Sequence, residues 1–353
     1  MINNRRSRIS ILDGFRGIAI LSVILYHYFY RWNDSRYPYF GGNYFHYGFK
    51  GVPFFFMISG FVICYSLEGT KDFISFWKKR FIRLFPSVLV ASVFTYCILL
   101  IFDYYNTFPD NHFRNLIISI TFIPPNVYNL ISGTPEHFSY INYDYWSLWP
   151  EIQFYLFTSI IYFSNKREFK RNFIIACFAF LLLHYVLLLY GLDQIKIVSK
   201  FFNLFNLIKY LVFFLCGALF YMLYNNKTFK LYILLLIVSF LIINHVFDLL
   251  ELISVTIMFL LFFCFIYCPK SLRFLENRFI LNIGLSSYFL YLIHDYIGVV
   301  WIKNIVGYFY PNSFIAPILI MIVMITLSIF YTKKVEAKIS KYLHKCLVNK
   351  NND

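Results

Sequence analysis

The feature that most constrains the fold is a series of apolar runs, each close to 20 residues long, that recurs from one end of the chain to the other. A helix of about 20 residues crosses the roughly 30 Å hydrocarbon core of a bilayer. Hydrophobic residues make up 60% of the 353 residues and charged residues only 14%, with a mean hydropathy of +0.63. A soluble domain does not tolerate this composition, so the sequence predicts an all-α, polytopic integral membrane protein.

The runs predict about ten transmembrane helices. They leave no stretch for a separate soluble domain, so residues 1–353 are predicted to form a single membrane domain. The predicted spans are at 11–31, 50–67, 86–104, 145–164, 172–190, 204–224, 230–247, 250–268, 279–301 and 314–331.

The net charge of +15 would suit a nucleic-acid partner, but the placement of the basic residues argues against one. Lysine and arginine concentrate in alternate connecting segments, such as 78–83 and 166–171, and in the tail at 332–353. This positive-inside pattern predicts that both termini are cytoplasmic. We therefore expect a multi-pass protein of the cytoplasmic (inner) membrane, whose partner is the lipid bilayer and not nucleic acid.

The segment 105–144 is predicted to be a long outer loop. Its apolar part, 116–123, is too short to span before Pro124 and Pro125 interrupt it. We expect this part to be re-entrant or interfacial.

Ionisable residues inside the predicted spans point to a function. Arg16 and His27 are 11 positions apart, within about 20° of three whole helical turns, so they share one face of the first span about 16 Å apart along its axis. Glu151 and His294 lie at a similar depth in two other spans, and such groups are costly within a bilayer. The alternative left open is that Arg16 only reaches the inner headgroups and His27 hydrogen-bonds a neighbouring helix.

A metal centre is not expected from the sequence. None of these candidate ligands lies three or four residues from another, as the ligands of a helical zinc motif do.

Five motifs in order resemble acyltransferase family 3, a family of integral-membrane acyltransferases, and together they cover nearly the whole chain. The motifs are LDGFRGIAILSVILYH, GVPFFFMISGFVI, RFIRLFP, WSLWPEIQFY and SSYFLYLIH. Departures from the family pattern are Pro53 in place of an acidic residue, Ile152 in place of a second glutamate, and Tyr296 in place of a proline. Glu151 is then the only acid retained in its motif. We expect a membrane-only member, without a fused hydrolase-like domain.

The resemblance implies transfer of an acyl group, most often acetyl from cytoplasmic acetyl-CoA, to a hydroxyl of a surface polysaccharide, a lipopolysaccharide or a lipid-linked glycan precursor. Arg16, Arg80 and Arg83 are then predicted to bind the phosphates of CoA, since guanidinium groups suit phosphate oxygens. His27 is predicted to act as general base or as transient acyl carrier, and Glu151 to orient its imidazole.

Trp146, Tyr291 and His294 are predicted to contact the substrate. If His27 lies near the outer face while CoA enters from inside, the acyl group crosses the membrane. The rival interpretation is a transporter or flippase for a lipid-linked glycan. A narrower alternative keeps the chemistry but replaces the glycan with an antibiotic or a lipid, or acetyl with succinyl.

Overall fold

The computed structural model describes residues 9–32, 39, 42–134, 137–244, 246, 248–309 and 313–348. Within them every regular element is helical, which confirms the all-α class. The α-helices are α1 Ser10–Tyr26, α2 Gly51–Glu68, α3 Phe73–Phe102, α4 Phe113–Ile120, α5 Pro125–Ser132, α6 Leu148–Ser164, α7 Phe169–Leu189, α8 Lys196–Leu204, α9 Leu207–Asn225, α10 Phe229–Ile243, α11 Leu249–Tyr267, α12 Arg278–Ile293, α13 Tyr296–Trp301, α14 Gly307–Phe309, α15 Ile315–Phe330 and α16 Ala337–Leu347.

Seven continuous helical stretches of the described chain are long and apolar enough to cross a membrane, and α12 with the bent segment Tyr296–Phe309 makes an eighth. The other two predicted spans correspond to shorter helices, α6 with 17 residues and α10 with 15. A polytopic membrane protein is therefore confirmed, whereas the count of ten and the side of the termini stay predictions. The seven stretches are Ser10–Arg31, Asn43–Glu68, Phe73–Phe102, Phe169–Leu189, Leu207–Asn225, Leu249–Tyr267 and Ile315–Leu347.

The predicted outer loop at 105–144 contains the short helices α4 and α5, of eight residues each. Eight helical residues rise only about 12 Å, so neither helix can cross a bilayer. Pro124 is extended and Pro125 begins α5, because a proline ring fits the first helical position. Whether this part is re-entrant or interfacial stays a prediction.

The chain divides into two compact units by its internal contacts. The first comprises Met1–Leu12, Val52–Phe76 and Ser147–Phe274, and the second comprises Asp13–Gly51, Trp77–Trp146 and Leu275–Asp353. In the first unit, α2 and α9 touch through their backbones, since a Cβ added to Gly217 would lie 1.8 Å from the carbonyl oxygen of Met57. Small residues permit such close helix crossings in membranes, where packing rather than hydrophobicity drives helix association.

In the second unit, α1 and α12 meet at a pair of glycines. A Cβ added to Gly284 would lie 1.8 Å from the carbonyl oxygen of Asp13 and 3.2 Å from the backbone nitrogen of Gly17. His27 follows Gly17 by ten residues, and His294 follows Gly284 by ten. Because ten helical residues rise about 15 Å on either helix, the crossing brings both histidines to the same level.

Candidate active site

His27 lies where the first helical stretch widens. Regular α-helix ends at Tyr26, and a π-helical turn follows over His27–Arg31. Such turns are rare and frequently occur at functional sites. The side chain is buried, with 8% of its surface exposed, and its Nδ1 lies 3.0 Å from the carbonyl oxygen of Val23.

His294 lies at a break in a helix. The axis bends by 72° between α12 and α13, and His294 is the first residue of the two-residue break. Its ring is fully buried, and Nδ1 lies 2.8 Å from the carbonyl oxygen of Tyr291. The hydroxyl of Tyr28 donates a hydrogen bond of 2.7 Å to the His294 carbonyl, which satisfies a backbone acceptor at the break.

The two histidine rings are in direct contact. His294 Nε2 lies 3.0 Å from His27 Nδ1, and the ring centroids are 4.8 Å apart in an edge-to-face arrangement. The structure therefore brings together two of the three ionisable groups for which the sequence predicts a common depth.

Asp144 completes the cluster and was missed by the sequence interpretation. Its Oδ1 lies 3.6 Å from His27 Nε2, and its Oδ2 lies 3.5 Å from His294 Nε2. The signal for it in the sequence is its place in the polar stretch YDYWSLWPEIQFY, which also contains Glu151.

The position of Asp144 is determined by backbone hydrogen bonds. Its N–H donates to Asn142 Oδ1 at 3.0 Å, and its carbonyl accepts from the Tyr291 hydroxyl at 3.0 Å. The Asn142 amide donates in turn to the carbonyl of Leu292 at 3.1 Å. Asn142 and Asp144 are thereby attached to the end of α12, which His294 directly follows.

These contacts determine which ring nitrogens carry hydrogen. A backbone carbonyl can only accept, so Nδ1 of His27 is protonated towards Val23 and Nδ1 of His294 towards Tyr291. Each neutral ring then has a lone pair at Nε2. Asp144 precedes α6, and burial raises the pKa of its carboxyl group well above the ordinary value, with the nearby Asp295 carboxyl as a further cause. The site therefore combines two basic nitrogens with a buried carboxyl group, whose ionised form is favoured when a neighbouring imidazole gains a proton.

A second buried carboxyl group, Asp295, adjoins the cluster and was also missed. The indole Nε1 of Trp32 donates a hydrogen bond of 2.9 Å to its Oδ1. Asp295 directly follows His294 at the helix break, so the break presents two ionisable side chains in succession.

The three predicted donor-binding arginines lie on helices of the second unit. Arg16 on α1 forms an ion pair with Asp13, whose Oδ1 lies 2.9 Å from Nη1. Arg80 and Arg83 lie near the start of α3, and both are partly exposed. Their binding of CoA stays a prediction.

Glu151 has its own partners in the first unit. Its Oε1 accepts hydrogen bonds from Ser59 Oγ at 2.7 Å and from the Tyr155 hydroxyl at 2.5 Å. The carboxylate observed beside the His27 ring is that of Asp144, seven residues earlier. That Glu151 orients His27 therefore stays a prediction.

The remaining predicted substrate contacts adjoin the cluster in the chain. Tyr291 is one helical turn before His294, and its hydroxyl donates a hydrogen bond to the carbonyl of Asp144. Trp146 is half-buried in the same turn as Asp144. Contact of Trp146, Tyr291 or His294 with a substrate stays a prediction.

An all-helical membrane domain with a buried His–Asp–His cluster at a helix break defines a polytopic membrane protein with a buried cluster of ionisable side chains. The family model described as an acyltransferase domain matches residues 9–333, so the chain belongs to acyltransferase family 3. The predicted family resemblance is thereby confirmed.

Two curated relatives are similar to part of this chain. They are the O-acetyltransferase OatA of Staphylococcus aureus strain NCTC 8325 / PS 47 and that of strain COL. Each is 32% identical over 176 residues, which cover 46% of this chain and 26% of the relative. The matched stretch thus spans about a quarter of these relatives. No solved structure matches the chain.

Proposed function

We propose that this protein is a membrane O-acetyltransferase that moves an acetyl group from cytoplasmic acetyl-CoA to a hydroxyl of a cell-surface glycan or its lipid-linked precursor. The observation that carries the proposal is the buried His27 ring, whose Nε2 lies 3.6 Å from the Asp144 carboxyl group and whose Nδ1 lies 3.0 Å from His294 Nε2. The family and the printed names of the relatives support O-acetyl transfer as the reaction.

His27 acts as the general base in this mechanism. Its Nε2 takes the proton from the acceptor hydroxyl, and the oxygen attacks the thioester carbonyl of acetyl-CoA. The C–S bond then breaks, and the CoA thiolate receives the proton back from Nε2. The acetyl ester and free CoA are the products, and atoms and charges balance. General base catalysis of this kind contributes typically about 100-fold to 10,000-fold.

Asp144 and His294 stabilise the protonated base. When His27 gains a proton at Nε2, the imidazolium lies 3.6 Å from Asp144 Oδ1. His294 Nε2, 3.0 Å from His27 Nδ1, accepts from the N–H on the other side of the same ring. The acid and the second histidine therefore stabilise the charge that develops in the transition state, in a buried place where such interactions are strong.

Arg16, Arg80 and Arg83 bind the donor on the cytoplasmic side. The ion pair with Asp13 orients the Arg16 guanidinium, whose planar fork suits phosphate oxygens. The pantetheine arm then follows the Arg16 face of α1, over a rise of about 16 Å, towards His27.

The acceptor reaches the site from the outer side. His27 is 17 residues after Ser10, a rise of about 26 Å, which approaches the thickness of the hydrocarbon core. Trp146 and Tyr291 then contact the sugar, and the acetyl group crosses the membrane during transfer. The protein is a multi-pass component of the cytoplasmic membrane in this proposal.

The test is transfer of labelled acetyl. Membranes that contain glycan precursors and purified protein are incubated with acetyl-CoA labelled on the acetyl group, and label in base-labile ester is measured. We expect His27→Ala to lose at least about 100-fold of the transfer rate. The matched control is His137→Ala, an exposed histidine outside the cluster, which should behave as wild type.

Equal labelling by wild type and His27→Ala would refute the role of His27. Movement of the glycan across the membrane without any label would instead favour the transporter.

A further inference from the structure

We infer that His27, Asp144 and His294 also form a binding site for a divalent transition-metal ion of the zinc type, and that binding of this ion inhibits the enzyme. The inhibitory part rests on the proposed function, because it assumes that His27 is the base. The binding part stands on the geometry of the cluster alone.

The three candidate ligand atoms are nitrogen and oxygen atoms of the types that bind zinc. Their separations are close to those between the ligands of a tetrahedral zinc ion. One ligand atom from each residue lies within 4.8 Å of the other two. Zinc–nitrogen bonds of about 2.0–2.1 Å place two ligands of a tetrahedral ion about 3.3 Å apart. The observed separations are 3.5 Å between His294 Nε2 and Asp144 Oδ2 and 3.6 Å between His27 Nε2 and Asp144 Oδ1. The third separation, between one nitrogen of each imidazole, is within 4.8 Å, so both histidine rings would rotate towards each other to close the site.

The hydrogen-bond partners of the two histidine rings are also typical of a metal site. Histidine ligands of a metal almost always donate their other ring N–H to a carbonyl or carboxylate, which determines the tautomer and orients the ring. Nδ1 of His27 faces the carbonyl of Val23, and Nδ1 of His294 faces that of Tyr291. The Nε2 lone pair of His27 is thus available for a cation, and that of His294 becomes available when the ring turns from His27 Nδ1, 3.0 Å away, towards the ion.

The local charge favours a dication. Two buried carboxyl groups, Asp144 and Asp295, act electrostatically on each other, and the opposing cation, Arg31, is exposed to solvent. Water screens the charge of an exposed arginine more than that of buried groups. A divalent ion would compensate the two carboxylates, with three protein ligands and an open fourth position.

A helical zinc motif has its ligands three or four residues apart on one helix, and these residues do not have that spacing. Here the ligands come from three separate segments, which follow α1, precede α6 and follow α12. The ion in this inference is an inhibitor and not a cofactor, since it occupies the His27 lone pair that must accept the proton. No bond in the substrate is made or broken when it binds.

The experiment measures binding directly. Wild-type protein in nanodiscs is stripped with a chelator, and zinc chloride is titrated in by calorimetry. One ion per chain is expected for wild type and for the control His137→Ala. Asp144→Asn and His294→Gln should weaken this binding by at least about 10-fold to 100-fold, which is the loss that removal of a group behind a ligand already causes. Asp144→Asn retains the shape of the side chain, so its folding is the least disturbed.

Two further measurements test the ligands and the inhibition. X-ray absorption at the zinc edge should show only nitrogen and oxygen ligands, at about 2.0–2.1 Å. Added zinc should inhibit ester formation over the same concentration range in which it binds, and a chelator should restore the rate.

Unchanged zinc binding in both variants, or sulfur ligands in the absorption spectrum, would refute the proposal that the ion binds at this cluster. Binding without inhibition, or transfer that requires zinc, would overturn the inhibitory role. Absence of acetyl transfer by chelated wild type would instead refute the proposed function, while the calorimetric titration would still decide the metal site.

Discussion

Replacement of Asp144 by asparagine tests the acid–base cluster most directly. The backbone hydrogen bonds to Asn142 and Tyr291 involve the N–H and carbonyl of residue 144, so they survive the change. The asparagine side chain has nearly the same shape but no charge. The substitution therefore removes electrostatic stabilisation of the His27 imidazolium while the fold stays intact.

The magnitude follows from the distance. Two unit charges about 4 Å apart attract by about 4 kcal/mol at an effective dielectric constant of about 20. Asp144 Oδ1 and His27 Nε2 are 3.6 Å apart, so this value applies to the pair. Loss of about 4 kcal/mol from the transition state lowers the rate about 1,000-fold, which is within the range expected for general base catalysis.

The assay is the steady-state rate of acetyl ester formation, measured as kcat and as KM for acetyl-CoA. We expect Asp144→Asn to lower kcat about 1,000-fold and to leave KM for the donor nearly unchanged, because Asp144 lies at the chemical end of the proposed donor path. Thermal unfolding of the variant should resemble that of wild type.

Glu151→Gln is the matched comparison, since Glu151 is the predicted orienting acid. If Asp144 supports the base, Asp144→Asn should be the more damaging change. A kcat of Asp144→Asn within about threefold of wild type, together with a large loss in Glu151→Gln, would refute the role given to Asp144 and restore that of Glu151.

Three further predictions follow from the packing and the topology. Gly284→Leu should destabilise the protein and abolish transfer, because a Cβ at this position would lie 1.8 Å from the carbonyl oxygen of Asp13; thermal unfolding and ester formation check this. Arg16→Lys should raise KM for acetyl-CoA more than it lowers kcat, since lysine lacks the bidentate fork, and an unchanged KM would contradict donor binding there. In vesicles of known orientation, acetylated product should accumulate on the outer side, and confinement to the cytoplasmic leaflet would refute transfer across the membrane.

The two histidines of the cluster were predictable as candidates from helical periodicity and length. The spacing of Arg16 and His27 on one face follows from 3.6 residues per turn, and the depth of His294 follows from the rise per residue. The equal spacing of ten residues from Gly17 to His27 and from Gly284 to His294 is a further signal in the sequence. This equal spacing predicts that the two histidines lie at the same level only when the contact between the two glycines is known.

The burial of Asp144 could not be predicted from helical periodicity. It precedes its apolar run and is typical of a loop residue, whereas Glu151 lies within the run and is typical of an intramembrane acid. The structure buries Asp144 between the two histidines because the turn that bears it is hydrogen-bonded to the end of α12.

The sequence by itself therefore determined the membrane class, the family and which residues share a face of one helix, because composition, motifs and periodicity are local properties of the chain. Only the tertiary structure decided that His27, Asp144 and His294 meet and that Glu151 bonds to Ser59 and Tyr155. The physical reason is that contacts between distant segments depend on the close crossing of helices and on hydrogen bonds at a helix break, and periodicity within a single helix describes neither.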